Sequence, residues 1–381
     1  AYAHANTTNL NAKRSSYIKR FVYQRNEQGH ITAITFHSNN DDDLQRSIIC
    51  DADGIYGMRF ERDSLGRTLQ VEYIDENGNI TCTKKGVAGH QYTYDTHGTI
   101  NSYVFYDTLR QPIINEHNWA ICVERTDEYG NVYWGGYYDE TNQLCINSSG
   151  YSQHLYQYDE FGNNTAEIYL DVDSMPCMGI DGTAGWVSIY DDKGQCIQEH
   201  YVDTAGHLCP PVADGIPMKR YKYNSRGNCI EISYYGVDEK PMTNEFGFSK
   251  IQWEYDRKGN CLQISYFDTL GNPFMFFDQF STIKRKYDSQ GNCIEETYFN
   301  HLGEKCNIDQ SNVTSSRSKY NSAGKLIEQT YHDADGNLAS LATNEARIVI
   351  QYDTRGSISM LAKYDTNGKL CFDTDSVAKI K

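Results

Sequence analysis

Apolar and polar residues alternate along this chain in short bursts that return at a fixed interval. The clearest bursts are YNSRGNCIEISYY from Tyr223, YDRKGNCLQISYF from Tyr255 and YDSQGNCIEETYF from Tyr287. Each places a polar turn between two segments of period-two alternation, the pattern of a hairpin whose strands are half-buried. Helical periodicity is absent, and Gly, Asn, Asp, β-branched and aromatic residues are dense throughout, so an all-β chain is expected. Two apolar residues adjoin after each glycine, as in Cys229-Ile230, Cys261-Leu262 and Cys293-Ile294. A simple half-buried strand would alternate there, so a bend or bulge is predicted.

The interval is the strongest signal in the chain. Gly29, Gly66, Gly98, Gly130, Gly162, Gly194, Gly227, Gly259, Gly291, Gly324 and Gly356 close the same phrase, spaced by 32 or 33 residues from Gly66 onward. A period of this size predicts an elongated array, a solenoid or spiral sheet, of about eleven β-hairpin repeats that bury their apolar sides against one another. The expected organisation is a non-repeat segment 1–18, a divergent first repeat or cap 19–57, tandem repeats 58–371 and a tail 372–381. The acidic insertion Asn39-Asn40-Asp41-Asp42-Asp43 falls in the divergent copy.

In the phrase Asp-x-x-Gly-Asn the aspartate can accept hydrogen bonds from amides further along the turn, and the glycine supplies the left-handed conformation that ends it. The repeat-turn positions are therefore Gly66, Gly98, Gly130, Gly162, Gly194, Gly227, Gly259, Gly291, Gly324 and Gly356. A second Asp-x-x-Gly often follows, as at Asp203–Gly206 and Asp268–Gly271, and a third, looser turn lies near Gly86, Gly150, Gly182, Gly215 and Gly247. Each repeat should hold three short extended segments. Asp51 with Asp53, and Asp333 with Asp335, have the carboxylate spacing of short calcium loops. Neither pair has the distal acidic ligand, so no cofactor is expected and calcium is the weak exception.

Two tyrosine columns recur in register. One holds Tyr94, Tyr158, Tyr190, Tyr223, Tyr255, Tyr287, Tyr320 and Tyr352, and the other includes Tyr137, Tyr169, Tyr201, Tyr234, Tyr266 and Tyr298. Interior packing is the first expectation for both. A ligand platform built on the second column, with its hydroxyls in solvent, is the alternative. Most of the twelve cysteines also keep register, at two or fifteen residues past the glycine, and are expected as free thiols filling an interior column.

Composition narrows the function. With 39% hydrophobic residues the chain is lean for a large spherical core and suits a thin stack. A net charge of −16 argues against nucleic acid and anionic membrane surfaces as partners. No apolar run is long enough for a membrane helix, so no membrane insertion is expected. Reactive residue types recur in columns where a catalytic site would need unlike groups converging, so no enzyme is expected. The opening AYAHA is of the kind found around export-cleavage sites, which fits an extracellular or cell-surface protein.

The YD-x-x-G phrase at Tyr94, Tyr158, Tyr190, Tyr255, Tyr287 and Tyr352 resembles the YD repeats of the RHS family and related bacterial surface proteins. That resemblance implies spiralling β-hairpin sheets that form shells, stalks or adhesive surfaces. Absence of a toxin or self-cleaving segment after Gly356 points to an open array. The phrases at Tyr137, Tyr266 and Tyr298 are also similar to choline-binding and clostridial toxin repeats, which implies a glycan as an alternative ligand. The expected function is a non-catalytic scaffold presenting an extended surface for binding or adhesion. The partner is a protein or another copy, through paired ends or strand edges, and the alternatives are a self-assembling subunit and a glycan-binding module.

Overall fold

The computed structural model describes residues 20–38, 48–277, 279–308, 310–371 and 379–380. The expected N-terminal segment 1–18, the acidic insertion at 39–43 and most of the tail 372–381 lie outside the described residues. All 23 described strands pair antiparallel, and no helix occurs among the described residues. The chain divides into two compact units. Unit 1 comprises Ala1–Val187 with Val202–His207, and unit 2 comprises Ser188–Tyr201 with Leu208–Lys381.

Within each unit the repeat is the same. Strands Thr282–Tyr287 and Cys293–Phe299 form a hairpin around the turn Asp288–Gly291, and the register steps between Lys286 and Tyr287 so that Tyr287 faces Cys293. The same step puts Tyr223 opposite Cys229 and Tyr255 opposite Cys261. This bulge is the irregularity that the adjacent apolar residues predict, and it lets both of them be partly covered. The second strand then pairs with the first strand of the next repeat, as Glu295, Glu296 and Thr297 do with Arg317, Ser316 and Ser315.

The third extended segment shrinks to isolated bridges such as Phe267 with Pro273 and Phe299 with Lys305. Fourteen or so residues linking one hairpin to the next are used instead on two further turns. The third turn at Gly247 is as tight as the others, its N–H donating to Asn244 C=O at 3.0 Å and Asn244 Oδ1 accepting from the amide of Phe246 at 3.0 Å, whereas at Gly215 it is wider, the N–H reaching back to Pro211 C=O.

Most repeats end in a small residue that is almost completely buried: Ala88, Ala120, Ser152, Ala184, Ser249, Ser281, Thr314 and Ala346 are at most 3% exposed, while Tyr56 and Pro217 take this place in two others. It is a joint between three strands. Ser281 accepts from the amide of Tyr266 at 3.0 Å and donates its own amide to Phe299 C=O at 2.8 Å; the other seven small residues repeat both bonds, whereas Pro217 only accepts. A larger side chain would push these backbones apart.

The two faces of the hairpins differ. One carries the apolar side chains, and in unit 1 its first part is a cluster of Phe36, Ile55, Val71, Tyr73 and Val87. Ring contacts then run from Trp119 to Tyr137 at 5.5 Å, Tyr137 to Tyr151 at 6.0 Å and Tyr151 to Tyr169 at 4.4 Å. Unit 2 has its own row, Tyr234 to Phe248 at 5.9 Å, Phe248 to Tyr266 at 5.1 Å and Tyr266 to Phe276 at 4.6 Å. In both, the second tyrosine column alternates with an aromatic residue from the third turn.

Candidate functional site

The turn aspartates hold their own loops. Asp288 Oδ1 accepts from the amides of Gln290 and Asn292 at 2.9 Å, and Oδ2 accepts from Asn292 Nδ2 at 2.9 Å. These bonds, the Asn292 side chain's first, keep the carboxyl below its ordinary range. Gly66, Gly98, Gly130, Gly162, Gly194, Gly227, Gly259, Gly291, Gly324 and Gly356 all have φ between +72° and +90°, the left-handed region. Arg110, Asn142, Ser174 and Glu239 adopt the same conformation at second turns that lack glycine. Sequence reasoning missed these four, although the preceding aspartate or glycine at the right spacing marks them.

The calcium candidates sit in such turns. Asp51 Oδ1 accepts from the amides of Asp53 and Ile55 at 2.9 and 3.0 Å, while Asp333 bonds the amide and side chain of Asn337 at 2.8 and 3.2 Å. Their carboxylates therefore face backbone and amide donors of the same loop. Among the described residues no group of three or more His, Cys, Asp or Glu is arranged to hold a metal ion.

In the first tyrosine column six of the eight hydroxyls are tied to the backbone. Tyr94, Tyr158, Tyr223, Tyr287, Tyr320 and Tyr352 donate to the carbonyls of Thr68, Val132, Cys196, Cys261, Cys293 and Leu326 at 2.7 to 2.9 Å, each in the preceding repeat. Arg62 takes the same place in an early repeat, donating from Nε to Ile31 C=O at 2.8 Å. The acceptor always lies two residues past the turn glycine, whether 26 or 27 residues separate the partners.

The platform candidates Tyr137, Tyr169, Tyr234, Tyr266 and Tyr298 stand in or beside the aromatic rows, their rings packed against Trp119, Tyr151, Phe248, Phe276 and Phe280. Tyr201 lies at the same register, and its carbonyl accepts from the amide of Cys209 at 3.0 Å. Burial raises the hydroxyl pKa of Tyr137, Tyr234, Tyr266 and Tyr298. None of the twelve cysteines forms a disulfide, but ten of them are half-buried rather than interior. The thiols of Cys196, Cys229, Cys261 and Cys293 point back to the carbonyl two residues on, at 3.4 to 3.6 Å.

The polar face is a ladder of cross-strand pairs. Glu231 meets Lys222 at 2.8 Å and Gln252 at 2.6 Å, Glu295 meets Lys286 at 2.7 Å and Arg317 at 3.5 Å, and Glu328 meets Lys319 at 2.6 Å and Arg347 at 2.5 Å. Basic residues on this face also lie over rings, Arg220 over Tyr235 and Lys250 over Phe267, both at 4.5 Å.

On the apolar face of unit 1 two imidazoles stand among the rings: His90, against Tyr73, Tyr92, Tyr103 and Phe105, and His154. His154, 5% exposed, lies over Gly135, whose missing side chain makes room for the imidazole, and Glu167 Oε1 is 4.0 Å from its Nδ1. Glu167 accepts from Trp186 Nε1 at 2.9 Å. Burial pushes the His154 pKa down to about 4 and those of Glu124 and Glu167 up.

Several turn tips carry strongly exposed apolar side chains. Tyr129 and Phe161, on consecutive first turns of unit 1, are 80% and 74% exposed, and Leu270 and Leu302, on consecutive second turns of unit 2, are 84% and 69% exposed.

No family model matches the chain, and no curated protein does. Solved structures do. The chain aligns over 93% of its length with a crystallised TcdB2-TccC3 without the hypervariable C-terminal region, at 12% identity and a TM-score of 0.40, and covers 19% of that chain. A Photorhabdus luminescens Tc holotoxin pore with a TccC3 mutation gives 13% identity and a TM-score of 0.38, over 90% of this chain and 19% of that one. A further TcdB2-TccC3 crystal structure gives 13% identity and a TM-score of 0.32, over 93% and 20%. The chain thus spans about a fifth of the length of these neighbours.

Proposed function

We propose that this chain is a non-catalytic β-repeat scaffold, displayed outside the cell, whose turn tips present a surface for binding a protein partner. The observation that carries this reading is the contrast between two sets of side chains. Aspartates, asparagines, tyrosine hydroxyls and glutamates that could do chemistry are bonded to turns, carbonyls and cross-strand cations. The exposed aromatic and aliphatic tips have no structural task, and exposed apolar groups in succession mark interaction sites. The YD-like repeats favour a surface location. The lack of any disulfide among the twelve cysteines weighs the other way, because disulfides are characteristic of oxidising compartments.

Location and binding are tested together. Intact producing cells are treated with a protease that does not enter them, and the chain is followed by antibody. Surface display requires cleavage in intact cells, whereas a chain protected until lysis overturns it. Purified chain, cross-linked to partners on intact cells, should capture a protein less well when Tyr129 and Phe161 are replaced by Ser.

A further inference from the structure

We propose that the first-turn tips of unit 1 dock a second copy of this chain, which offers them the basic first-turn tips of its unit 2. An Asp-x-x-Gly turn constrains its first and last residues and leaves the middle two to solvent, so their chemistry is not dictated by folding. In unit 1 those residues are Glu128-Tyr129 and Glu160-Phe161, on consecutive repeats. Consecutive hairpins stand two strand spacings apart, about 10 Å. The neighbouring tip is close at Gly130, where the His97 side chain lies 3.6 Å from where a Cβ would stand. Two carboxylates and two exposed rings therefore form one row.

On consecutive first turns of unit 2 the equivalent pairs Ser225-Arg226 and Arg257-Lys258 carry the opposite charge, next to the mixed pair Asp192-Lys193. Their heads are set along the row by neighbouring tips. Arg226 donates to Asp256 C=O at 3.2 Å and Lys258 to Ser289 C=O at 3.0 Å. The chain already pairs such groups internally, placing Arg125 over Trp134 at 4.6 Å and Arg220 over Tyr235 at 4.5 Å. A carboxylate-and-ring row on one copy and a guanidinium-and-ammonium row on another are complementary in the same chemistry. Net charge of −16 on each copy opposes association at long range, and the contact is small, so docking is weak and needs near-physiological salt to screen distant charges.

This inference rests on the scaffold reading but is measured on purified protein, independently of where the chain is displayed. Sedimentation velocity of the full chain at about 0.15 M salt should show a monomer-to-dimer shift with concentration. Y129S/F161S should raise the dissociation constant about tenfold or more, as loss of central aromatic contacts does. R226E/R257E/K258E should do the same, and adding E128K/E160K to that chain should restore association. L270S/L302S removes apolar tips elsewhere and should leave it unchanged. A monomer at every concentration overturns the inference. So does association weakened as much by L270S/L302S as by Y129S/F161S, or a monomer whose Tyr129 and Phe161 instead bind a glycan on an array. Protection of the chain in intact cells would defeat surface display and leave the self-association result standing.

Discussion

In six of the repeats a single hydroxyl joins neighbours that are remote in sequence. Tyr287→Phe removes the bond to Cys261 C=O but keeps the ring, so it should cost about 0.5–1.5 kcal/mol, read as a lower urea midpoint at unchanged slope. No loss in that variant, or in Y223F and Y320F together, would show that water replaces the tie. The columns themselves were legible, because a tyrosine stands four residues before most of the turn glycines, Arg25, Arg62 and Thr126 being the exceptions. Where their hydroxyls point was not. It depends on the bulge, which turns Tyr287 towards the preceding repeat, and a bulge is a backbone event that sequence signals only indirectly.

Buried imidazole gives the same scale a pH dependence. His154 has an ordinary pKa near 6.5 and a folded value of about 4, so between those pH values the unfolded chain takes up a proton that the folded chain refuses. Its stabilising contribution is complete above pH 6.5, falls as the pH drops and is gone by about 4. The ceiling is about 3 kcal/mol. Glu124 and Glu167, raised by burial, act in the opposite direction, and buried His90 acts in the same one. The discriminating measurement is therefore the difference in melting temperature between wild type and His154→Phe. That difference should change across pH 6.5 to 4 and stay level above pH 7, and parallel curves throughout would refute it.

At the scale of the element, the joint residue matters more than any strand. Ser281→Leu should destabilise by about 1–3 kcal/mol, since the added volume meets three close backbones, whereas Ser281→Ala should be mild. Equal effects of the two variants in a thermal melt would contradict the crowded joint. Hairpins, turns and their spacing follow from the chain's alternation and from Asp-x-x-Gly, and they are all present. The small joint was overlooked although it recurs 22 or 23 residues past eight of the turn glycines. Alanine and serine vary there freely, and size, which is the conserved property along the chain, leaves a weaker trace than chemistry does. The half-buried cysteines are the converse case. A recurring thiol looks like core filling, but the bulge leaves these side chains at the strand end, partly in solvent.

For the whole molecule, stability is a sum over neighbouring repeats rather than a property of one centre. Deleting Asp256–Tyr287 joins Tyr255 to Asp288 in register and should leave a folded β chain by circular dichroism, with a melting temperature within several degrees of the parent. A chain that no longer folds would mean that distant repeats depend on one another. Charge behaves differently from packing, because it is distributed unevenly along the tips and therefore identifies places where packing is uniform.

The tyrosine tie has a consequence for inheritance. Its acceptor is fixed by the turn glycine, and the extra residue of the longer repeats lies in the linking segment before the joint, so Tyr223 and Tyr320 find the same carbonyl as Tyr94 and Tyr158 do. A recombination event that duplicates or removes one repeat, even with a ragged boundary in that segment, yields a gene whose product can still close every joint. Repeat number can then drift between lineages while each copy's tips diverge, which separates the mutations that alter length from those that alter recognition.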